Sequence, residues 1–233
     1  DERFYSHNGI DIKGLVRAVT TAVTSGFADV QGASTITQQL IKNSVFPNFS
    51  RETQWQKIER KVQELYLAVQ IEKIVDKSEI LENYLNTINL GQNTLGVQAA
   101  AKRYFGKDVS ELTLSECAAV AAITKSPTGY NPSTNPEANQ KRREKVLKDM
   151  LEQEKISQEE FDTALTDTED IYKRIQTANA EYKESITVNS YFLDEVAKEV
   201  QKDLVNKLGY TEDQAYNALY SGGLKIITTQ DLT

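Results

Sequence analysis

Apolar residues recur at helical spacing from 11 to 26 and from 58 to 75, and again near 79 to 86, 95 to 104, 114 to 124, 137 to 153 and 157 to 165. This pattern predicts a chain built mainly of amphipathic helices. Two of these runs carry start signals. Thr113 with Glu116, and Ser157 with Glu160, have the spacing of a capping box, in which a hydroxyl and a carboxylate reciprocally satisfy orphan amide donors. Three of the four prolines fall between 127 and 136, in SPTGYNPSTNP, and mark an irregular loop between helices. After about residue 181 the texture changes to a long helical pattern near 189 to 208, a short one near 212 to 220, and then the β-branched run LKIITT. That last run is a strand pattern with nothing in the chain to pair against. Residues 182–233 therefore read as a short α/β linker toward a further domain, and a chain that starts at Asp1 reads as a piece of something longer.

The run IERKVQELYLAVQIEK, residues 58 to 73, is apolar on two sides. Ile58, Val62, Leu65 and Val69 make one face, Leu67 and Ile71 lie nearly opposite, and between them runs the stripe Arg60, Glu64, Ala68, Glu72. One reading is a solvated ladder of ion pairs, each stabilising the helix by only a few tenths of a kcal/mol. The other is a cleft lining, because charges flanked by apolar faces are drawn toward the interior, where cations beside a carboxylate keep it ionised.

Composition narrows the functional classes. With 39% hydrophobic and 26% charged residues the 233-residue chain is of ordinary globular make-up. A net charge of −7 leaves no bulk basic field, so nucleic acid is excluded as a general partner. The longest apolar stretch, CAAVAAI at 117 to 123, is far short of the roughly 20 residues that cross a bilayer. Its cysteine, Cys117, reads as a small buried apolar residue. His7 has no second histidine or cysteine beside it, which argues for an architectural role over a zinc site. Arg3, Arg17, Lys42, Arg60, Lys61 and Arg142 are candidates for a cationic lining. GASTITQQL, residues 32 to 40, holds Ser34, Thr35, Thr37, Gln38 and Gln39 without one charge, and suits either a helix cap with buried amides or a polar wall facing carbohydrate.

In this order the stretches resemble the family-51 glycosyltransferase domain of class A penicillin-binding proteins. DERFYSHNG is similar to the family's first motif, GASTITQQLIKN to the second and RKVQE to the third. LENYLNTINLGQNTLGVQAAAKRYFGK resembles the fourth, and LTLSECAAVAAITKSPTGYNP with RREKVL the fifth. The similarity covers roughly residues 1–181, and the tail from 182 resembles the approach to a transpeptidase domain.

The resemblance implies a mainly α, lysozyme-like, two-lobed fold. It also implies polymerisation of lipid II: the 4-hydroxyl of an acceptor attacks C1 of a lipid-linked glycan and expels undecaprenyl diphosphate with inversion. Glu64 is the carboxylate carried over from the third motif. Asp1, Arg3, Arg17, Ser34, Thr35, Thr37, Gln38, Gln39, Lys42, Arg60, Lys61 and Arg142 are carried over as substrate-binding residues. The family's catalytic base is expected immediately before Asp1, because Phe4, His7 and Gly9 set a register that places Glu2 two positions too late. A divalent cation, Mg2+ or Mn2+, is compatible with this chemistry, and no organic cofactor is called for. The implied partners are lipid II, the nascent glycan, the membrane surface, the inhibitor moenomycin and the transpeptidase domain. The implied location is the extracytoplasmic face of a bacterial membrane, with a transmembrane anchor outside this chain. Phe46, Phe49 and Trp55 are read as a jaw that dips into the membrane interface. The segment between Lys42 and Glu64 is longer than the pattern, and INLGQN lacks the usual aromatic before its glycine. The chief rival is a lysozyme-like enzyme that cleaves glycan, which needs paired carboxylates but no diphosphate cradle.

Overall fold

The computed structural model describes residues 1–24, 32–46, 52–92, 94–187, 190–221 and 224–228. Eleven α-helices run through the described residues: α1 (Ile12–Thr24), α2 (Ile36–Val45), α3 (Gln54–Ile71), α4 (Lys77–Thr87), α5 (Val97–Phe105) and α6 (Leu114–Ile123), followed by α7 (Pro136–Glu152), α8 (Gln158–Thr166), α9 (Thr168–Thr187), α10 (Ser190–Leu208) and α11 (Glu212–Ser221). The chain separates into two compact units, Asp1–Asn179 and Ala180–Thr233.

Local chemistry sets most helix starts. The capping boxes expected at Thr113 with Glu116 and at Ser157 with Glu160 open α6 and α8, and Pro136 occupies the first turn of α7, where its missing N–H costs nothing. A third box, Thr53 with Gln56, starts α3 earlier than its apolar periodicity suggests. Two helices escape the hydrophobic pattern: α2, whose buried side mixes Thr37 and Gln38 with Leu40 and Ile41, and α9.

The first unit holds two apolar clusters. The larger joins Phe4, Leu40, Ile80, Tyr84, Leu90, Tyr104, Ile123, Ile171 and Ile175, drawn from α2, α4, α5, α6, α9 and the N-terminal segment. Ile80, Leu90, Ile123, Ile171 and Ile175 are fully buried, each contributing about 1.5–3 kcal/mol of transfer free energy. The smaller gathers Ala118, Leu147, Ile156 and Ala164 where α6, α7 and α8 meet. Between α6 and α7 the buried Arg143 donates to Ser115, and Asn139 bridges Ala119 and Tyr130 carbonyls at 3.1 and 2.7 Å. Cys117, expected inside, lies exposed on α6, although partial burial and the adjacent Glu116 raise its thiol above the ordinary value.

The second unit pairs α10 with α11 around Leu204 and Ala215. Gly209, at φ +70°, ends α10, and Thr211 with Gln214 caps α11. Residues 224–228 of the anticipated strand form no ladder. An isolated antiparallel bridge between Asn89 and Leu95 is the β pairing found among the described residues, since an extended run needs a partner edge to become a strand.

Candidate active site

The site is built where the N-terminal segment meets α2 and α3. Thr35 caps α2: its hydroxyl accepts from the Gln38 amide at 3.2 Å and donates to the Gly9 carbonyl at 2.8 Å. Asp1 Oδ2 accepts from the Ile36 amide at 2.9 Å, placing a carboxylate at the positive end of the α2 dipole. Gly9, at φ +88°, rests directly on α3. A Cβ there would meet the backbone of Ala68 at 2.5 Å, so no other residue permits this approach.

Glu64 is the centre of the first group of charges. It is 1% exposed, Arg60 donates to its Oε1, and Lys61 Nζ lies 2.7 Å from its Oε2. Lys61 also reaches Ser34 Oγ at 2.7 Å and Gln38 Oε1 at 3.5 Å, tying α3 to the start of α2. Arg60 is held from its other side by Glu52, at 2.8 and 2.9 Å. Burial opposes the guanidinium's charge, but its hydrogen bonds to Glu52 and Glu64 raise it above its ordinary value. Lys42 of α2 belongs to the same field. Burial lowers its ammonium below the ordinary value, Glu64 opposes the shift, and Arg60 and Lys61 reinforce it. The structure thus gathers Lys42, Arg60, Lys61 and Glu64 with Ser34 and Gln38.

The outcome for α3 follows the cleft reading of its charged stripe, with Leu65, Leu67, Val69 and Ile71 half-buried on either side. Among its described side chains Glu64 and Ala68 are the buried ones, whereas Trp55, Ile58, Val62 and Tyr66 stand 56 to 80% exposed. Of the anticipated jaw residues, Trp55 is exposed, Phe46 is half-buried, and Phe49 lies outside the described residues. On α1, Ile12, Leu15, Val16 and Val23 are exposed as well.

A second group of polar side chains lies at the other end of α3. Thr37 donates to Glu72 Oε1, Lys77 Nζ sits 2.7 Å from Glu72 Oε2, and His7 Nε2 lies 3.1 Å from Asp1 Oδ1. Thr35, Thr37 and Gln38 are therefore buried and spend their hydrogen bonds within the protein. Of the neutral run, Ser34 and Gln39 remain half-buried. Gln39 donates to the Ser34 carbonyl and accepts from Tyr84 Oη, each at 3.4 Å.

Other candidates sit apart from Glu64. Arg3 is engaged by Asp11 at 2.7 and 3.1 Å, and that guanidinium draws the Asp11 carboxyl down to about 2. Arg17 is exposed on α1 and faces Glu2 at 3.6 Å. Arg142 is half-buried on α7, its Nε lacking a hydrogen-bond partner, and shares none of the described contacts that join α2 to α3. Glu52, Asp11 and Lys77 escaped sequence reasoning. Lys77 pairs with His7 across 70 residues, a separation at which no local spacing rule gives a signal.

Such an arrangement sets one buried carboxylate among fixed cations, beside half-buried hydroxyl and amide groups. That suits recognition of an anion attached to a polyhydroxylated group.

A family profile described as Transglycosylase matches residues 1–151. Penicillin-binding protein 1A of Clostridium botulinum (strain Langeland) is 41% identical over 239 residues, covering 99% of this chain and 28% of that protein. Penicillin-binding protein 1A of Haemophilus influenzae is 43% identical over 229 residues, covering 98% and 24%. The chain thus spans less than a third of the length of these relatives. A crystal structure of the Haemophilus influenzae protein aligns over 39% of this chain and 14% of that one, at 49% identity and a TM-score of 0.38, an overlap too partial to bear on the fold.

Proposed function

Since the chain belongs to the transglycosylase family, we propose that it is the peptidoglycan glycosyltransferase portion of a bifunctional class A penicillin-binding protein. Its reaction joins lipid-linked glycan to lipid II. A base takes the proton of the acceptor's 4-hydroxyl, the oxygen attacks C1 of the donor, the bond from C1 to phosphate breaks, and undecaprenyl diphosphate leaves with inversion.

The observation that carries this reading is the buried Glu64 bracketed by Arg60 and Lys61, with Lys42 in the same field. A leaving diphosphate develops negative charge, and cations fixed beforehand lower the barrier without reorganising during the step. In this reading Glu64 keeps Arg60 and Lys61 oriented toward the donor, while Ser34 and Gln39 meet sugar hydroxyls or phosphate oxygens. Asp1, Thr35, Thr37 and Gln38 hold the wall behind them. Arg3, Arg17 and Arg142 belong to the outer field. The general base is the glutamate that the family pattern places immediately before Asp1.

A divalent cation finds no ready protein cage, because no group of three histidine, cysteine or acidic side chains among the described residues is placed to hold a metal ion. Both Glu64 oxygens face cations and the Asp1 carboxylate is occupied. Mg2+ or Mn2+ would enter with the diphosphate, and no step here depends on it. A glycan-cleaving activity, the rival reading, leaves the cationic cluster without a purpose.

No helix of the described residues is long and apolar enough to cross a membrane. The enzyme would work at the extracytoplasmic membrane face, tethered by a segment outside this sequence, with the exposed apolar residues of α1 and α3 resting against lipid. The decisive experiment measures lipid II polymerisation by a chain extended to include the glutamate before Asp1, with Glu64 intact or changed to Gln. Loss of turnover with retained folding supports the assignment. Turnover above about a tenth of wild type refutes the role of Glu64, since positioned charged groups typically contribute about 10²-fold or more.

A further inference from the structure

We propose that Lys77 and Glu72 are positioning residues that hold His7 in its Nε2–H tautomer, so that the ring donates to Asp1 and locks that carboxylate against the first turn of α2. The inference rests on the proposed function only for its kinetic consequence. The geometry comes from four segments. His7 Nδ1 faces two donors, the Gly9 amide at 3.2 Å and Lys77 Nζ at 3.4 Å, so it must present a lone pair. The ring proton then sits on Nε2, which lies 3.1 and 3.2 Å from the two Asp1 oxygens.

Glu72 is the acid that could draw the proton to the other nitrogen, its Oε1 lying 4.0 Å from Nδ1. It is prevented from doing so because Thr37 donates to Oε1 and the Lys77 ammonium sits 2.7 Å from Oε2. Lys77 itself is steadied over the Phe4 ring, 4.4 Å from its centroid. The Asp1, His7 and Glu72 side chains are only 3, 7 and 3% exposed, so water offers the ring little alternative partnership. The charged groups that face the ring are Asp1 and Asp11 from its own segment, Glu72 at the end of α3 and Lys77 at the start of α4, while α2 contributes the neutral Thr37. Burial and Lys77 keep the imidazole below its ordinary value, against the weaker pull of Glu72 and Asp11.

In the opposite tautomer a bare Nε2 lone pair would confront the Asp1 carboxylate. Asp1 would turn from the ring, α2 would lose its anionic cap, and the backbone next to the expected base would be released. Outer partners of this kind typically change activity by about 10- to 100-fold when removed.

His7 is the only histidine of the 233-residue chain, so nitrogen-15 spectroscopy of the imidazole reads its tautomer without ambiguity. The wild-type chain should show a neutral ring at pH 7 with the proton on Nε2. Lys77→Met should give a mixed tautomer and lower the hydrogen-exchange protection of the Ile36 amide by about tenfold, the scale of one charge-assisted hydrogen bond. Lys77→Arg should keep the wild-type spectrum. A proton on Nδ1 in the wild type, or an unchanged ring and amide in a folded Lys77→Met chain, overturns the proposal. In the chain extended before Asp1, Lys77→Met should lower kcat by about tenfold and leave KM for lipid II unchanged. If the extended wild type fails to polymerise lipid II, the functional reading fails, while the two spectroscopic arms still decide the tautomer.

Discussion

Two glutamates of the first unit are both buried and each flanked by two cations, yet their surroundings differ. Glu64 is 1% exposed and meets Arg60 and Lys61, while Glu116 is fully buried and meets Lys107 at 2.8 Å and Arg174 at 3.4 Å. Glu116 is also the third residue of a capping box and accepts the Thr113 amide at 2.9 Å, so its oxygens are consumed by the fold. The cations of Glu64 instead continue outward, Lys61 to Ser34 and Gln38, with the half-buried Lys42 beside them. A buried acid–base cluster is weak evidence of stabilisation in itself, because desolvation offsets much of the attraction. The two clusters differ in where their cations end: Arg174 of the Glu116 cluster ends on a second acid, Asp167, at 2.8 and 2.9 Å, whereas Lys61 of the Glu64 cluster ends on the half-buried, neutral Ser34 hydroxyl.

The contrast predicts opposite phenotypes. Glu64→Gln should reduce lipid II turnover by about 10²-fold or more, the loss typical when a preorganised charged group is removed. Its melting temperature should stay within a few degrees, as a thermal scan would check. Glu116→Gln should do the reverse, keeping turnover per folded molecule while losing about 2–3 kcal/mol in denaturant titration, from a weakened cap and lost charge-assisted bonds. If Glu116→Gln silences a folded enzyme, the division is wrong.

Lys42→Ala tests whether the Glu64 cluster reaches a ligand at all. Moenomycin and donor affinity, measured by calorimetry, should fall by about 1.5–3 kcal/mol, the range for a hydrogen bond to a charged group. Unchanged affinity would show that Lys42 serves α2 alone.

The smallest effect concerns the Arg3 and Asp11 pair, which sits apart from Glu64. Its acid is depressed to about 2 by the Arg3 hydrogen bonds. A depressed acid contributes stability above its unfolded value, near 3.8, and loses it as pH falls through the folded value. Asp11→Asn should therefore flatten the stability profile between roughly pH 4 and 2 and lower turnover at neutral pH far less than Glu64→Gln does.

Much of the helical framework was legible in the chain because its determinants are local. Thr113 with Glu116 and Ser157 with Glu160 are spaced to close on themselves, and apolar residues at 3.6-residue intervals mark α5, α6 and α7. The identities of Lys42, Arg60, Lys61 and Glu64 were legible too, since motif spacing carries them. Periodicity found α3 but left its inward side open between two readings: Ile58 and Val62 face outward, Leu65 and Val69 are half-buried, and Glu64 faces inward. Transfer free energy alone favours the opposite orientation, and what offsets it comes from Ser34 and Gln38, which lie 27 and 23 residues from Lys61 in the chain. The run GASTITQQL was ambiguous for the same reason: a hydroxyl suits a cap, a buried carboxylate or a sugar equally well. By itself, then, the sequence determined most of the helices, the caps at Thr113 and Ser157 and the inventory of charges, set by neighbours within about one turn. Only the tertiary structure decided which side of α3 is buried, which cations share Glu64 and which nitrogen of His7 keeps its proton, because each depends on desolvation and on partners that chain folding brings together from afar.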